Sequence, residues 1–531
     1  MPGTRVAVIG GGATGVMAVI SILQQAEAAN LSDVAVHVLE PQDRLGEGVA
    51  YATPHDWHLL NMQAATMSAT PNAPDDFLAW VHQRTDEPTI PPDTIERAYL
   101  PRRLFGEYLR QRFDDTVRRA TRQGLGVTVE RCKAIRCQPV GDRIAITTDR
   151  GCTLPEFTHA VLCLGDLPSS TYGELHEHPR YLANPWRVGA GIPATARVGV
   201  LGSSLTAVDA LAHLHGMSHS GPVFCFSRNR GFPKVQPAVL TPYRCRHVTP
   251  ENLRRLLTHS PQLSLEQVAT LFRRELDHAT DGRFPWSSLL GSREPTDLHE
   301  DIATAEAHPT PWYEALDATS LLVPELWHAM QATAKANFLH RFHRQWASWR
   351  HPMPLPNARL LAAMEDQGQL RHYTGIRTVT AGQRGEFDVG YCHQGIDRTQ
   401  AVDYLINATG TEYNPWLAPS TLLRDMLHRG LLVAHPLGGI DVDFATLRAH
   451  TANGTPTDRL YFIGPLTRGV HFYTNSIETN LANTIRMAQH LIGQGADRLP
   501  TKSSPLGLRF NSDIHRRIEV LARAEMDSSA A

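Results

Sequence analysis

The chain has no Cys-x-x-Cys pair, and its seven cysteines make an odd total. Cys132, Cys137, Cys152, Cys163, Cys225, Cys245 and Cys392 therefore read as reduced thiols. Neither a disulfide framework nor a dithiol redox centre is expected, and a cytoplasmic setting is the simplest account. No apolar run approaches the ~20 residues that span a bilayer. Strand-forming residues begin almost at once, which leaves no room for a signal peptide. Charge imbalance is missing too. The 51 Lys and Arg against 53 Asp and Glu leave a net −2, so neither nucleic acid nor an anionic membrane is expected as a partner. The 27 histidines are scattered and read as surface and core residues rather than metal ligands. No Ser–His–Asp or paired-carboxylate arrangement stands out. At 531 residues, 42% hydrophobic and 20% charged, the composition is globular, and the length exceeds what one ordinary core uses.

What is present begins with Val6-Ala7-Val8-Ile9-Gly10-Gly11-Gly12-Ala13-Thr14-Gly15, an apolar run that breaks into glycines and resumes as Val16 to Leu23. This is strand, tight turn and helix. Gly10, Gly12 and Gly15 have the G-x-G-x-x-G spacing. The first permits the turn, the second lets backbone approach a pyrophosphate, and the third lets helix and strand pack closely. The N-terminus of the helix that follows offers free N–H groups to phosphate. A second strand, Val34 to Leu39, ends in Glu40, placed to accept hydrogen bonds from ribose hydroxyls.

The chain repeats this opening. Val198-Gly199-Val200-Leu201-Gly202-Ser203-Ser204-Leu205-Thr206-Ala207 is again strand, turn and helix, with serine and alanine in place of the later glycines. Its second strand, Val223 to Phe226, ends in Ser227-Arg228-Asn229-Arg230. Where the first lobe has an acid, this one has arginines, which suit a nucleotide 2′-phosphate and so NADP over NAD.

Between and after these loops the pattern predicts further elements. Helices are expected over about 75–84 and from Pro101 to about 123, the second with Arg102 and Arg103 either on an ordinary amphipathic face or against an anion. Residues 126–165 read as β-rich and end in a buried strand at Gly165. Residues 245–350 lose the alternation and read as a helical insertion. Buried strands stop at Gly410 and Gly464, and a helix follows from Ile477 to about Ile492. The fold class is α/β: two Rossmann-like dinucleotide-binding domains, the second nested in the first. The expected boundaries are 1–170 and 405–495 for the first domain, 190–404 for the second including the insertion, and 496–531 for a C-terminal extension with a charged helix near 514–525.

The two nested loops, together with Gly48-Val49-Ala50-Tyr51, His58-Leu59-Leu60-Asn61, Pro101-Arg102-Arg103-Leu104-Phe105-Gly106 and Leu205-Thr206-Ala207-Val208-Asp209, carry a resemblance. Over roughly residues 5–495 the chain resembles the bacterial FAD-NAD(P)-binding protein family of two-dinucleotide-binding-domain flavoproteins, which includes nitrosuccinate-forming amino acid N-monooxygenases. The resemblance implies FAD in the first lobe, at Gly10, Gly12, Ala13, Thr14, Gly15, Glu40, Asn61, Met62 and Gly464. It implies NADPH in the second, at Gly202, Ser203, Ser204, Leu205, Ser227, Arg228 and Arg230. The spacing around Gly173, before His178 and Trp186, does not match F-x-G-x-x-x-H-x-x-x-W, which argues against a Baeyer–Villiger reaction. The absent Cys-x-x-Cys argues against a dithiol reductase.

The reaction so implied is hydroxylation of an amine or amino acid nitrogen with O₂ through a C4a-hydroperoxyflavin. Asn61, Gln63 and Asn475 are candidates for the flavin face, because amides donate without charge. Arg468 is the candidate anchor for a substrate carboxylate. Two alternatives remain at this stage: a flavin dehydrogenase or reductase without oxygenation, and a non-catalytic flavin-binding redox sensor. The sequence leaves the oligomeric state open. Arg228→Ala is expected to weaken NADPH relative to NADH in nucleotide-oxidation kinetics; equal loss for both would remove the 2′-phosphate role.

Overall fold

The computed structural model describes residues 3–71, 73–84, 92–187, 191–228, 231–290, 297–307 and 309–493. Arg230 and the extension from 496, with its expected charged helix, lie outside the described residues.

The opening strand, Thr4–Ile9, is buried on both faces: Val6, Ala7 and Val8 are fully covered. A parallel strand sandwiched between helices has this continuous apolar run rather than alternation. It sits inside a six-stranded sheet ordered Arg448–His450, Pro456–Phe462, His159–Leu162, Thr4–Ile9, Val34–Leu39, Gly126–Glu130. All neighbours are parallel except the first pair. Val6 lies opposite both Val36 and His159. The Ala13–Ala28 helix packs against the Ile477–Gly493 helix, where the hydroxyls of Ser21 and Thr484 meet at 3.1 Å in the buried seam.

The second loop opens a separate, all-parallel sheet of five strands, ordered Leu370–Thr374, Val223–Ser227, Val198–Leu201, Tyr404–Asn407, Tyr181–Leu182. One expected boundary changes here. Tyr404–Asn407 was read as lying at the junction, with 405 opening the return of the first domain. Its backbone pairs with Val198–Leu201 place it inside the second sheet. The return to the first sheet comes later, at Arg448–His450 and Pro456–Phe462. The chain leaves the first sheet and comes back along adjacent segments. Pro168 and Thr411 form an antiparallel bridge, Glu412 N–H donates to the Leu167 carbonyl at 3.0 Å, and Ser170 donates to the Glu412 carboxylate.

The described residues of 250–350 form mainly short helices, and they build a core of their own around Leu271, Phe272, Leu276, Trp327 and Trp349. The periodic stretch from Leu326 to Trp349 is not one helix. It divides into Val323–Ala329, Ala332–Arg341 and His343–Arg350. Met330 turns extended because its neighbours are tied to Leu263: Leu263 N–H donates to the Ala329 carbonyl at 2.8 Å, and Gln331 N–H to the Leu263 carbonyl at 2.9 Å. A buried carboxylate, Glu275, holds the entry to this region. It accepts from the Tyr243 hydroxyl and from the N–H groups of Arg246, His247 and Val248. Burial alone would raise its pKa, and the donated hydrogen bonds outweigh that and hold it below its ordinary value. Among the described residues, no helix is long and apolar enough to cross a membrane.

The two lobes are pinned to each other by charge and aromatic stacking. Arg102, the first residue of the Arg102–Arg122 helix, pairs with Asp209 of the Leu205–Gly216 helix at 3.0 Å, both side chains under a tenth exposed. Arg102 is therefore neither on a solvated face nor against a free anion, whereas Arg103 pairs with Asp56 and Glu107 on the surface side. The Arg102 guanidinium also lies over the Trp186 ring at 5.0 Å. His58 stacks on His213 at 5.2 Å, and the Trp57 ring fills the space where a Cβ on Gly216 would stand. Burial pushes the Asp209 carboxyl up to about 6 against the pull of Arg102.

Removing one partner of a buried pair leaves an uncompensated charge and costs about 3–5 kcal/mol, while replacing both with apolar residues costs much less. Asp209→Ala is expected to lower the unfolding free energy measured by urea titration by that amount, and Arg102→Met with Asp209→Leu to recover most of it. No loss in the single variant would mean that the pair is not a pin.

Burial also lowers the pKa of His58, to about 3 with help from His213, Arg102 and His55, and those of His219 and His471. Their folded pKa values fall below the unfolded value near 6.5, so the unfolded chain binds more protons. The stability they contribute is present above pH 6.5 and is lost as pH falls toward 3. At pH 5.5 His58 alone costs about 1.4 kcal/mol, and relief at Asp209 returns only about 1 kcal/mol. The melting temperature is expected to fall clearly between pH 7.5 and 5.5 by calorimetry. A flat profile would show these imidazoles to be protonated in the fold.

Candidate active site

In the first loop, Gly10 has φ +101°, and a Cβ there would stand 2.2 Å from the Cys163 carbonyl oxygen. A Cβ on Gly15 would stand 1.9 Å from the Gly10 carbonyl. No other residue fits either position. Gly12 is the N-cap of the Ala13–Ala28 helix with no side chain capping it, so the first N–H groups, at Ala13 and Thr14, stay open for an anion. Glu40 is present beside them. Its carboxylate accepts from Gly11 N–H at 2.7 Å and Gln42 N–H at 2.9 Å. A carboxylate has further lone pairs for ribose hydroxyls. Gly464, φ +117°, turns the closing strand toward Thr14, whose hydroxyl stands 4.0 Å from where a Gly464 Cβ would be. A bare backbone cradle, an uncapped helix start and a neighbouring acid fit the pyrophosphate and ribose of FAD.

The second loop repeats the geometry. Gly202 has φ +117°, and its Cβ would stand 2.3 Å from the Ala408 carbonyl oxygen. Ser204 is the N-cap, with its hydroxyl not used as a cap, and Leu205 begins the helix. Ser203 donates to the Gly231 carbonyl at 3.1 Å. Ser227 is buried and hydrogen-bonded to His372 at 3.1 Å, so its hydroxyl is engaged inside the sheet. Arg228 is exposed at the strand end and has no carboxylate partner among the described residues.

The four candidates for the reaction face fall into two groups. Asn61 and Gln63 belong to a network on the first lobe. Gln236 donates to the Asn61 carbonyl at 2.6 Å and accepts from the Tyr99 hydroxyl at 2.8 Å, and Arg102 reaches the Asn61 side chain at 3.4 Å. Gln63 is 4% exposed, and its side-chain amide reaches the Tyr99 hydroxyl, which joins it to the same network. Met62 is half-buried against the same core.

Arg468 and Asn475 form the other group, joined through Tyr413. The Arg468 guanidinium lies over the Tyr413 ring at 4.2 Å and donates to His343 Nε2 at 3.0 Å. Asn475 is exposed and reaches Tyr413. Burial lowers the Arg468 pKa, and no carboxylate pairs with it among the described residues. His343 is pushed down to about 3 by burial, Arg468 and Arg344, so its imidazole is neutral and accepts from Arg468. No hydrogen bond joins the two groups among the described residues.

Between Arg468 and Asn475 the backbone is strained: Phe472 and Tyr473 have φ +50° and +52°. Bulky residues rarely adopt this region, at about 1–3 kcal/mol each. The insertion holds them there. Trp327 stacks on Phe472 at 4.5 Å and donates to the Gly469 carbonyl at 2.9 Å, while Trp346 donates to the Tyr473 hydroxyl. Sequence reasoning missed Tyr413, His343, Gln236 and Tyr99, which no motif marks. It also missed the pairing of Arg102 with Asp209, which stand far apart in the chain.

Residues 7–167 match the family model described as FAD-NAD(P)-binding. Among curated proteins, the uncharacterized protein YdhS of Escherichia coli (strain K12) is 27% identical over 215 residues. That match spans 39% of this chain and only 38% of the relative's own length. Among solved structures, L-lysine 6-monooxygenase from Pseudomonas syringae superposes with a TM-score of 0.58 at 15% identity, covering 93% of this chain and 100% of that one. The reduced form of ornithine hydroxylase from Pseudomonas aeruginosa gives 0.52 at 13% identity, covering 93% and 99%. Residues 7–167 are thus similar to an FAD-NAD(P)-binding domain, and the two-lobed α/β fold is one shared with these two solved structures.

Proposed function

We propose that the chain is an FAD-dependent, NADPH-using oxidoreductase, and that it hydroxylates the nitrogen of an amine or amino acid. The observation that carries this reading is Arg468, a half-buried guanidinium with an aromatic face beneath it, a neutral imidazole beside it and no acid to neutralise it among the described residues. A cation held this way has room for one more partner, and a carboxylate takes a guanidinium by two parallel hydrogen bonds. The fold shared with an ornithine hydroxylase and an L-lysine 6-monooxygenase supports the same class of substrate.

Bound FAD supplies the redox and oxygen chemistry. The chain's own residues set the conditions for it. Gly10, Gly12, Ala13, Thr14, Gly15 and Glu40 hold the dinucleotide, with Gly464 opposite. Gln63 offers an amide at the buried wall, and Asn475 a second amide at the open one. Neither carries charge, so neither protonates the substrate amine, which reacts only as the free base. His343 accepts from Arg468 and fixes the direction of the guanidinium. The loop from Gly469 to Tyr473, closed by Trp327 and Trp346, keeps water from the same space.

The test is NADPH oxidation by the flavin-loaded protein against a panel of amino acids and their decarboxylated amines, with the hydroxylated product assayed separately. Substrate-dependent product is expected. NADPH oxidation that releases only peroxide with every compound would remove the hydroxylation and leave a reductase. Arg468→Met is expected to raise KM for the amino acid about 10- to 100-fold, the worth of a charge-assisted pair, with Arg468→Lys intermediate. It should leave the matching amine nearly unaffected, since that compound lacks the carboxylate.

A further inference from the structure

The helical insertion ends in the His343–Arg350 helix, and this helix runs beside the segment that follows Arg228. Lys234 N–H donates to the Ser348 carbonyl at 2.9 Å, Met353 N–H to the Lys234 carbonyl at 2.7 Å, and Gln236 N–H to the Met353 carbonyl at 2.9 Å. Val235 and Met353 form a parallel bridge. The segment that follows the Arg228 turn is therefore stitched to the end of the insertion. Arg344 stands one turn before Ser348 on the same helix face. The Arg228 turn is fixed from its other side, where Gly375 N–H donates to the Arg228 carbonyl at 3.1 Å.

We propose that Arg344 supplies a second guanidinium, opposite Arg228, to the 2′-phosphate of the nucleotide held at Gly202. The inference rests on the NADPH reading above and adds to it a residue from the insertion. Both side chains are exposed, and neither has a carboxylate partner among the described residues. The two charges feel each other: the Arg344 pKa is lowered by burial and by the cation of Arg228. Two guanidinium groups near each other repel in the absence of an anion, and a phosphate that carries close to two negative charges removes the repulsion. Arginine is suited to it, since its planar fork binds phosphate in bidentate fashion. The 2′-phosphate is the group that separates NADPH from NADH.

The probes are 2′,5′-ADP and 5′-AMP, titrated calorimetrically into the flavin-loaded, full-length protein. The wild type is expected to favour 2′,5′-ADP. Arg344→Gln should weaken 2′,5′-ADP about tenfold or more and leave 5′-AMP unchanged, and Arg344→Lys should keep part of the preference. Unchanged 5′-AMP binding shows that the site is still folded. If Arg344→Gln binds 2′,5′-ADP as the wild type does while Arg228→Gln loses it, the role of Arg344 is overturned and the NADPH site stands. Equal weakening of both ligands by Arg344→Gln overturns it too, as a structural effect only. A wild type that binds the two ligands equally overturns the 2′-phosphate reading of the whole site.

Discussion

Each nucleotide loop is fixed by one steric fact: its first glycine is pressed against the carbonyl that ends the neighbouring strand. Gly10 meets Cys163, and Gly202 meets Ala408, with almost the same separation. Each glycine also donates its N–H to the carbonyl ending the next strand, Leu39 in one lobe and Phe226 in the other. The chain can therefore turn only at that point, with positive φ, and the helix that follows starts with open N–H groups aimed at one place. The loops part company five residues later. Gly15 lets its helix come against Gly10, whereas Ala207 occupies the matching position in the second loop. The first helix packs closer to its loop, and the acid at Glu40 and the arginine at Arg228 complete the contrast.

Much of this was legible in the sequence because it is local. A glycine turn between an apolar strand and an apolar helix reads the same in a string of letters as in space. Helix starts expected at Pro101 and Ile477 fall within a residue of those observed, while the first helix begins at Ala13, three residues before the apolar run from Val16. Long-range pairing was not legible. A buried strand stopping at glycine fits either sheet equally well, so Tyr404–Asn407 gave no sign of which one it joins. The charge on Arg102 was visible, but its partner lies 107 residues away. The break at Met330 follows from a bond to Leu263, which no periodicity shows. Arg468 could be singled out by its position after Gly464. His343 and Tyr413, which give that arginine its setting, come from distant segments.

The insertion reaches further than its helical pattern suggests. Its core takes in Phe472, a residue of the closing loop, and its last helix touches Arg468 at one end and the segment after Arg228 at the other. Strain at Phe472 and Tyr473 persists because Trp327 and Trp346 over-determine it. A strained loop supported from a separate core keeps its shape only while that core is intact, so damage to the insertion is felt at the candidate site without touching it.

The paired crossings at Pro168 and Thr411 have a mechanical meaning. Two strands side by side form a strap that bends easily about one axis, and by themselves they would let the lobes swing like a door. The buried pair of Arg102 and Asp209 acts as a latch placed away from that axis. A swing wide enough to part the helices strands a charge in an apolar seam, so the latch stiffens that hinge. The spacing between the two dinucleotide loops is then a property of the folded ground state, and any travel needed to bring the two ligands together falls to the ligands.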